Sequence, residues 1–314
     1  MEDKRLAVGL EYFQKKSWTP FPFQLETCKE FLDGQSGLLN APTGSGKTFA
    51  LWFPAILEYI QNHPDTWQKP QNIGIQLIWV TPLRALAQDI QKAMQEVCEV
   101  IGLPWTIAVR NGDTDAKTRA AMKRRPPECL ITTPETLHIL ISQKDHVELF
   151  QSLKAIVVDE WHELVGNKRG VQVQLALEYI QSICPNSFRR WAVSATIGNL
   201  ERDEAIAFLT AARGLLGPDA LFILGVDLVK APELLVAAYD DARGVTAAFN
   251  LNLLEHLNRL LGSDFDVRGW RHRALFNAVE SRIEMHLEAR AATTVRWPGG
   301  ERRVAAGERL HTEN

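Results

Sequence analysis

The sequence predicts an α/β fold in which helices pack on a mostly parallel β-sheet. Short apolar runs rich in β-branched residues, such as residues 75–80 and 155–158, alternate with longer helical stretches. This alternation is typical of strands joined by crossover helices. Several runs end in glycine-rich or polar residues, and folds of this class place their binding sites at the carboxyl ends of parallel strands. The 314 residues are 46% hydrophobic, which is enough to bury one or two cores.

The first element with chemical meaning is a glycine-rich turn that follows a predicted strand. Residues 41–48 read Ala-Pro-Thr-Gly-Ser-Gly-Lys-Thr. Backbone amides of such a turn converge on phosphate oxygens, the Lys47 ammonium neutralises the β- and γ-phosphates, and the Thr48 hydroxyl binds Mg²⁺. The expected ligands are a nucleoside triphosphate and Mg²⁺, and the residues expected to bind them are Thr43, Gly44, Ser45, Gly46, Lys47 and Thr48. Ala41 stands where the strict pattern has glycine, so hydrolysis requires a partner carboxylate elsewhere.

That carboxylate follows a second buried strand, residues 155–158, which leads into Asp159 and Glu160. A β-branched apolar run of this kind is typical of a parallel strand whose carboxyl end opens into a ligand crevice. Asp159 would join Thr48 as a Mg²⁺ ligand, and Glu160 would orient and deprotonate the attacking water. The predicted catalytic residues are therefore Lys47, Asp159 and Glu160. Taken separately, the two motifs are also compatible with an ordinary turn and a solvated acidic surface, but their combination favours a nucleotide hydrolase.

Further short motifs accompany these two sites. Residues 21–24 read Phe-Pro-Phe-Gln, residues 81–86 Thr-Pro-Leu-Arg-Ala-Leu, residues 111–114 Asn-Gly-Asp-Thr, residues 132–135 Thr-Thr-Pro-Glu and residues 194–196 Ser-Ala-Thr. In this order, the motifs make residues 15–200 resemble the first RecA-like domain of a superfamily-two DExH-box helicase. The most similar branch is the ligase-associated, large-helicase-related one. The resemblance implies a RecA-like three-layer domain with a mostly parallel sheet.

The resemblance also implies roles for individual residues. Gln24 would read the adenine edge, and His162 would couple the nucleotide state to nucleic acid through Ser194 and Thr196. The residues implied to contact nucleic acid are Arg84, Gly112, Thr114, Thr133 and Pro134. Contacts of this kind to phosphate oxygens carry no base sequence, so we expect sequence-tolerant binding of DNA or RNA. The formal charge of −3 gives no general attraction to nucleic acid, and the alternative for Arg84 is a surface salt bridge.

The composition of the chain changes near residue 200. Residues 201–314 contain no glutamine, no cysteine and one lysine against 13 arginines, whereas residues 1–200 hold all 4 cysteines. The stretches 224–230, 238–252, 282–287 and 310–314 resemble the later part of the histidine-specific, S-adenosylmethionine-dependent Nα-methyltransferases of ergothioneine synthesis. We therefore interpret the chain as a hybrid of two domains, residues 1–200 and 201–314, joined near residues 195–200. The second would be an incomplete α/β methyltransferase-like segment, in which Asn199, Met285 and Glu313 would correspond to contacts with a histidine substrate.

Each segment lacks part of its family's machinery. Residues 201–314 have no glycine-rich loop after a first strand, so we expect no binding of S-adenosylmethionine. They also lack the arginine-rich motif of a second helicase motor, and arginine fingers raise rates by about 10³–10⁵-fold in related enzymes. The leading hypothesis is a helicase-type domain that binds ATP and, weakly, nucleic acid, with residual hydrolysis. The alternatives are a binding module without turnover and a fragment of a histidine Nα-methyltransferase.

Other features of the sequence exclude further classes of protein. No apolar run approaches the ~20 residues needed to span a bilayer, and the N-terminal residues Met-Glu-Asp-Lys-Arg do not form a signal peptide. We therefore expect a cytoplasmic location and no membrane partner. The 4 cysteines have no Cys-x-x-Cys spacing, which argues against disulfide frameworks and against zinc sites built on them.

Overall fold

The computed structural model describes residues 4–42, 44–195, 202–225, 231–280 and 282–313. The chain divides into two compact units, residues 1–227 and residues 228–314. Within the described residues, no helix combines the length and the apolar composition that crossing a membrane requires.

The first unit contains a parallel sheet covered by helices. Its helices are α1 (Ala7–Lys15), α2 (Pro22–Leu32), α3 (Lys47–Asn62), α4 (Arg84–Ile101), α5 (Ala116–Arg124), α6 (Pro134–Ile141), α7 (His146–Phe150), α8 (Lys168–Ile183) and α9 (Arg202–Leu216). Its strands are β1 (Gly37–Asn40), β2 (Leu77–Val80), β3 (Ile107–Arg110), β4 (Cys129–Thr132), β5 (Ala155–Val158), β6 (Arg189–Ser194) and β7 (Leu221–Leu224). In the described part of the chain, the strands form one seven-stranded sheet in the order β3-β4-β2-β5-β6-β1-β7.

Both faces of this sheet are buried, which explains why its strands are continuous apolar runs rather than alternating ones. Strands β1, β2, β4 and β5 are buried at every residue. Leu39, Val157 and Trp191 pack in a core with α1 to α4, whereas their neighbours Leu38 and Ile156 pack in a second core with α6 to α9. The predicted three-layer α/β architecture is therefore confirmed.

Helix α9 and strand β7 complete the first unit, although they lie beyond the change in composition. β7 runs parallel to β1 with Ile223 opposite Leu39, and Ile223 packs against the core beside α1 to α4. Phe208 and Leu215 of α9 are buried in the other core. The first compact unit therefore extends to residue 227. Backbone pairing with β1 depends on the direction and register of the neighbouring strand, and not on the amino-acid composition of that strand. The division into domains at residue 200 stays a prediction.

In its described residues, the second unit contains two α-helices and antiparallel strands. Its helices are α10 (Pro232–Tyr239) and α11 (Val245–Leu261), and its strands are β8 (Trp270–Asn277), β9 (Arg282–Ala289), β10 (Thr293–Trp297), β11 (Gly300–Val304) and β12 (Arg309–Glu313). Strands β12, β9 and β8 form a three-stranded sheet in that order, and β10 pairs with β11. Leu254 of α11 packs with Trp270 and Leu287 in a small core. Residues alternate between the core face and the outer face, as antiparallel sheets with one covered face require.

Candidate functional site

The glycine-rich turn connects β1 to α3 at the carboxyl edge of the parallel sheet. Gly44 and Gly46 both have φ +79, a left-handed conformation that glycine adopts without steric cost. Gly46 is also the residue before the first turn of α3, and a β-carbon there would lie 2.6 Å from Gln24 Nε2. The helix N-terminus, with its unpaired backbone amides, therefore opens onto the turn. Thr43 lies outside the described residues.

The Lys47 ammonium is held inside this turn by backbone carbonyls. Its Nζ donates to the carbonyl oxygens of Ala41 at 2.7 Å and Pro42 at 2.9 Å. Burial lowers the pKa of Lys47, and the nearby carboxylates of Glu160 and Asp159 act in the opposite direction. The structure thus brings the predicted phosphate-binding lysine close to both predicted catalytic carboxylates.

Gln24 ties the first turn of α2 to the glycine-rich turn. Its Oε1 accepts a hydrogen bond from the Phe21 amide at 2.8 Å, which caps the helix in the manner of a capping box. Its Nε2 donates to the carbonyl oxygens of Gly46 at 3.0 Å and Ser45 at 3.3 Å. The side chain is only 5% exposed. Its partners in this structure are backbone groups, and its contact with an adenine stays a prediction.

Asp159 is a buried carboxylate directly after β5, which lies next to β2 in the sheet. It is 8% exposed, and its oxygens accept hydrogen bonds from Trp79 Nε1 at 3.1 Å and from the Glu160 amide at 2.9 Å. Burial, followed by the charge of Glu160, raises the pKa of Asp159 to about 6. A buried carboxylate of this kind lacks a full counter-charge, which a bound divalent cation would supply. Trp79 was not identified from the sequence, where it is one apolar residue in a strand.

Glu160 has an unusual backbone conformation for a residue with a side chain. Its φ of 46° lies in the left-handed region, and it precedes a short 3₁₀ helix over Trp161–Glu163. Left-handed non-glycine residues cost on the order of 1–3 kcal/mol and cluster at functional sites, where surrounding structure maintains them. Here the hydrogen bond from the Glu160 amide to Asp159 Oδ1 helps to fix the turn.

His162 lies between Glu160 and the carboxyl end of β6. Its Nδ1 is 3.5 Å from Glu160 Oε2 and 3.2 Å from Ser194 Oγ. Ser194 is fully buried, and its carbonyl accepts a hydrogen bond from Asn40 Nδ2 at the end of β1. The structure therefore connects the predicted water-activating carboxylate to the predicted coupling serine through one imidazole. Thr196 and Asn199 lie outside the described residues.

The loops after β2 and β3 meet at the same edge of the sheet. Arg84 Nη1 lies 3.2 Å from both carboxylate oxygens of Asp113, and a β-carbon at Gly112 would lie 3.3 Å from Arg84 Nη2. Thr114 Oγ1 accepts a hydrogen bond from the Asn111 amide and closes the loop. The side chains of Arg84 and Asp113 are 56% and 72% exposed, so their ion pair contributes about 0–1 kcal/mol. The Arg84 guanidinium is thus accessible to solvent. It also forms a surface salt bridge with Asp113, which the sequence analysis kept as the alternative role of Arg84.

The loop after β4 is held by an arginine that the sequence motifs do not include. Thr133 caps α6 by accepting a hydrogen bond from the Thr136 amide, its side chain is buried, and its contact with nucleic acid stays a prediction. Arg169 Nε donates to Glu135 Oε1 at 2.6 Å, and its Nη2 donates to the Pro82 carbonyl at 3.0 Å. Arg169 thereby fixes two of the predicted nucleic-acid loops against each other. Pro134 occupies the first turn of α6, where a missing amide costs nothing.

The predicted methyltransferase contacts lie in the second unit. Met285 of β9 is directly opposite Glu313 of β12, across an irregularity that follows His311. Met285 is buried and Glu313 is exposed. The structure therefore brings these two residues together in the sheet, and their contact with a histidine substrate stays a prediction.

The raised pKa of Asp159 predicts a specific dependence of stability on pH. Between about pH 4 and pH 6 the folded protein keeps a proton on Asp159 that the unfolded chain has lost, because the pKa is about 6 when folded and 3.8 ordinarily. This contribution is complete at low pH and is lost as the pH rises through about 6. We therefore compare the free energy of unfolding of the parent with that of Asp159→Asn, both without Mg²⁺ and nucleotide. The value for the parent minus the value for the variant should fall by about 2–3 kcal/mol between about pH 4 and about pH 7.

Urea unfolding of both proteins across this pH range measures the difference. The matched control is Asp89→Asn, because Asp89 is an exposed aspartate on α4. If the unfolding free energies of the parent and Asp159→Asn changed in parallel with pH, the raised pKa of the buried Asp159 carboxyl group would be contradicted.

Two protein-family models match different parts of this chain. The family model described as DEAD/DEAH box helicase matches residues 21–203, and the model described as histidine-specific methyltransferase, SAM-dependent, matches residues 184–314. The chain is 35% identical over 201 residues to the Lhr helicase/probable uracil glycosylase of Mycolicibacterium smegmatis, which covers 61% of this chain and 13% of that protein. It is 38% identical over 199 residues to the histidine N-alpha-methyltransferase of the same organism, covering 58% of this chain and 60% of that one.

A solved structure of Mycobacterium smegmatis helicase Lhr, bound to ssDNA and AMP-PNP, is similar to this chain, with a TM-score of 0.55 and 30% sequence identity. The similarity covers 73% of this chain and 29% of the helicase. The chain thus spans less than a third of these helicases and 60% of the methyltransferase. Both resemblances found in the sequence are confirmed, and the shared residues 184–203 include the predicted junction. By the match of residues 21–203, the chain belongs to the DEAD/DEAH box helicase family, and its later part matches the histidine-specific methyltransferases.

Proposed function

We propose that the first unit binds Mg²⁺·ATP and single-stranded nucleic acid as the first motor domain of a helicase, and that it hydrolyses ATP slowly. The observation that carries this proposal is the convergence of Lys47, Asp159 and Glu160 at one edge of the parallel sheet, each held by hydrogen bonds or backbone geometry. The similarity to a helicase bound to ssDNA and AMP-PNP supports the same assignment.

In this proposal, each residue has a separate task. The backbone amides from Gly44 to Lys47 and the Lys47 ammonium bind the phosphates, while Thr48 and Asp159 hold Mg²⁺. The cation supplies positive charge to the phosphate oxygens. Glu160 orients a water and accepts its proton as the water oxygen bonds to the γ-phosphorus and the bond to the β-phosphate oxygen breaks. ADP and phosphate are then released.

His162 would transmit the state of this site to the nucleic-acid side. It lies within 3.5 Å of Glu160 and within 3.2 Å of Ser194, so movement of the carboxylate would alter the hydrogen bond to β6. Because Arg169 links the loops after β2 and β4, the nucleic-acid side would respond as a unit. We further propose that the second unit does not bind S-adenosylmethionine, since a glycine-rich cofactor loop is lacking from its sequence.

The experiment that tests this function measures nucleic-acid affinity and phosphate release in the same samples. The full chain with Mg²⁺·ATP should bind single-stranded DNA or RNA in a salt-dependent manner, and phosphate release should increase when nucleic acid is added. Arg84→Ala should weaken binding and reduce the slope of log affinity against log salt by about 1. Lys92→Ala is the matched control, because Lys92 is an exposed lysine paired with Asp89 on the same helix.

Two results would contradict the proposal. One is equal affinity and equal salt slope for Arg84→Ala and Lys92→Ala, which would leave Arg84 as a surface salt bridge. The other is failure of the parent to bind Mg²⁺·ATP. Nucleotide binding with no phosphate release under any condition would instead favour a binding module without turnover.

A further inference from the structure

The outer face of the antiparallel sheet in the second unit carries two histidines and a glutamate side by side. In the register of β9 and β12, His311 lies directly opposite His286. Glu284 is two residues before His286 on β9 and therefore shares its face, since side chains alternate along a strand. The intervening residues Ile283, Met285 and Leu287 are buried on the other face. Two strands thus present three possible metal donors at one place.

Each of these histidines has one ring nitrogen that is placed to bind a metal ion. His311 Nε2 lies 3.1 Å from the Glu313 carbonyl oxygen. A carbonyl only accepts, so Nε2 carries the proton and Nδ1 keeps its lone pair. His286 Nε2 lies 3.2 Å from Glu284 Oε2, and its buried Nδ1 has no hydrogen-bond partner among the described residues. The nitrogen of His286 that faces Glu284 is therefore Nε2, and a metal ion bound between these two atoms would replace the hydrogen bond and leave the ring proton on Nδ1.

The carboxylate of Glu284 is oriented by its neighbours. Its Oε1 accepts hydrogen bonds from Asn277 Nδ2 at 2.8 Å and from Arg282 Nε at 3.0 Å. These contacts fix Oε1 and leave Oε2 directed at His286. Metal sites commonly use outer hydrogen bonds of this kind to orient a ligating carboxylate, and backbone carbonyls to orient a ligating histidine.

We propose that Glu284, His286 and His311 form a binding site for a divalent transition metal of the zinc class. Their donor atoms lie within 4.8 Å of one another, whereas ligands of a tetrahedral zinc site lie about 3.4 Å apart for bonds of about 2.0–2.1 Å. The rings of His286 and His311 are stacked with centroids 4.9 Å apart. His311 is exposed, and rotation of its side chain would exchange this stacking for coordination.

The donor set decides the class of metal. Two imidazoles with one carboxylate suit zinc and its neighbours in the transition series, whereas Mg²⁺ and Ca²⁺ prefer oxygen ligands. Three protein ligands leave a fourth tetrahedral position for water. None of the three donors is among the residues proposed to bind Mg²⁺·ATP, because all three belong to the second unit.

The test is competition between the full chain and a chromogenic chelator for Zn²⁺ under reducing conditions. The parent should compete for one zinc ion more strongly than the His311→Ala and Glu284→Gln variants, whose affinity for that ion should fall at least about tenfold. His256→Ala is the matched control, because His256 is an exposed histidine on α11 outside the cluster. Co²⁺ absorption provides a second readout, since the d–d bands of a tetrahedral site should be lost in His311→Ala.

The comparison among variants controls for misfolding and for zinc binding by other residues. Cysteines and the carboxylates of the first unit are common to all four proteins, so only the difference between variants counts. His311 is exposed near the C-terminus, and circular dichroism should show the same fold for its alanine variant. Equal zinc affinity in the parent and His311→Ala would overturn the proposal, as would an equal loss in His256→Ala.

Discussion

Replacing Lys47 by alanine should weaken Mg²⁺·ATP binding by at least about 100-fold. The ammonium is held in the glycine-rich turn by the Ala41 and Pro42 carbonyls, where the phosphates are proposed to bind. Hydrogen bonds to charged groups contribute about 1.5–3 kcal/mol each, and each 1.4 kcal/mol is a factor of about ten in affinity. The variant also removes a positive charge beside Asp159 and Glu160, which leaves negative charge facing the triphosphate.

Isothermal titration with a non-hydrolysable ATP analogue and Mg²⁺ measures the loss. Lys92→Ala serves as the control for removing a lysine from an exposed position. The fold should persist in both variants, because Lys47 occupies the first position of α3 and the buried residues of that helix begin at Ala50. Unchanged nucleotide affinity in Lys47→Ala would contradict the assignment of this turn as the phosphate site.

Glu160→Gln should retain nucleotide affinity within a few-fold and lose turnover by about 10²–10⁴-fold, the range expected for removing a general base. The amide has the same shape as the carboxylate but does not accept the proton of the attacking water. The left-handed turn should survive, because the hydrogen bond to Asp159 Oδ1 comes from the backbone amide of residue 160. Binding and chemistry should therefore separate.

Single-turnover phosphate release measures the chemical step directly. The matched control is Glu163→Gln, because Glu163 is a second carboxylate beside His162, at 3.7 Å from its Nε2. A general electrostatic role of acidic residues would slow both variants equally, and that result would count against Glu160 as the base. Turnover equal to that of the parent in Glu160→Gln would do so as well.

The sheet of the first unit followed from the sequence because its strands obey a simple physical rule. A strand buried on both faces has to be apolar throughout, and residues 155–158 and 77–80 meet this condition over four consecutive positions. Polar residues directly after such strands gather at one edge, which is why Lys47, Asp159 and Ser194 could be expected near one another. The order of the strands was not available from these patterns, since periodicity carries no information on which strands pair.

Several contacts of the candidate site have no local signature. Arg169 bonds to Pro82, 87 positions away along the chain, and nothing in the residues around it marks it as a partner of that loop. The Thr133 hydroxyl caps α6, and contact of Thr133 with nucleic acid stays a prediction. Both a cap and a ligand contact use the same hydroxyl, so the motif alone does not separate them. Trp79 similarly combines strand packing with a hydrogen bond to Asp159.

Strand β7 pairs with the central sheet of the first unit although it follows the change in composition. It lies beyond residue 203, in the region matched by the methyltransferase model alone, yet it pairs with β1 over four residues and adds Ile223 to the helicase core. The backbone of β1 offers the same donors and acceptors to any neighbour of correct direction and length. A different strand of the same direction and length in this position would therefore leave unaltered the carboxyl edge of the sheet, where Lys47 and Asp159 lie.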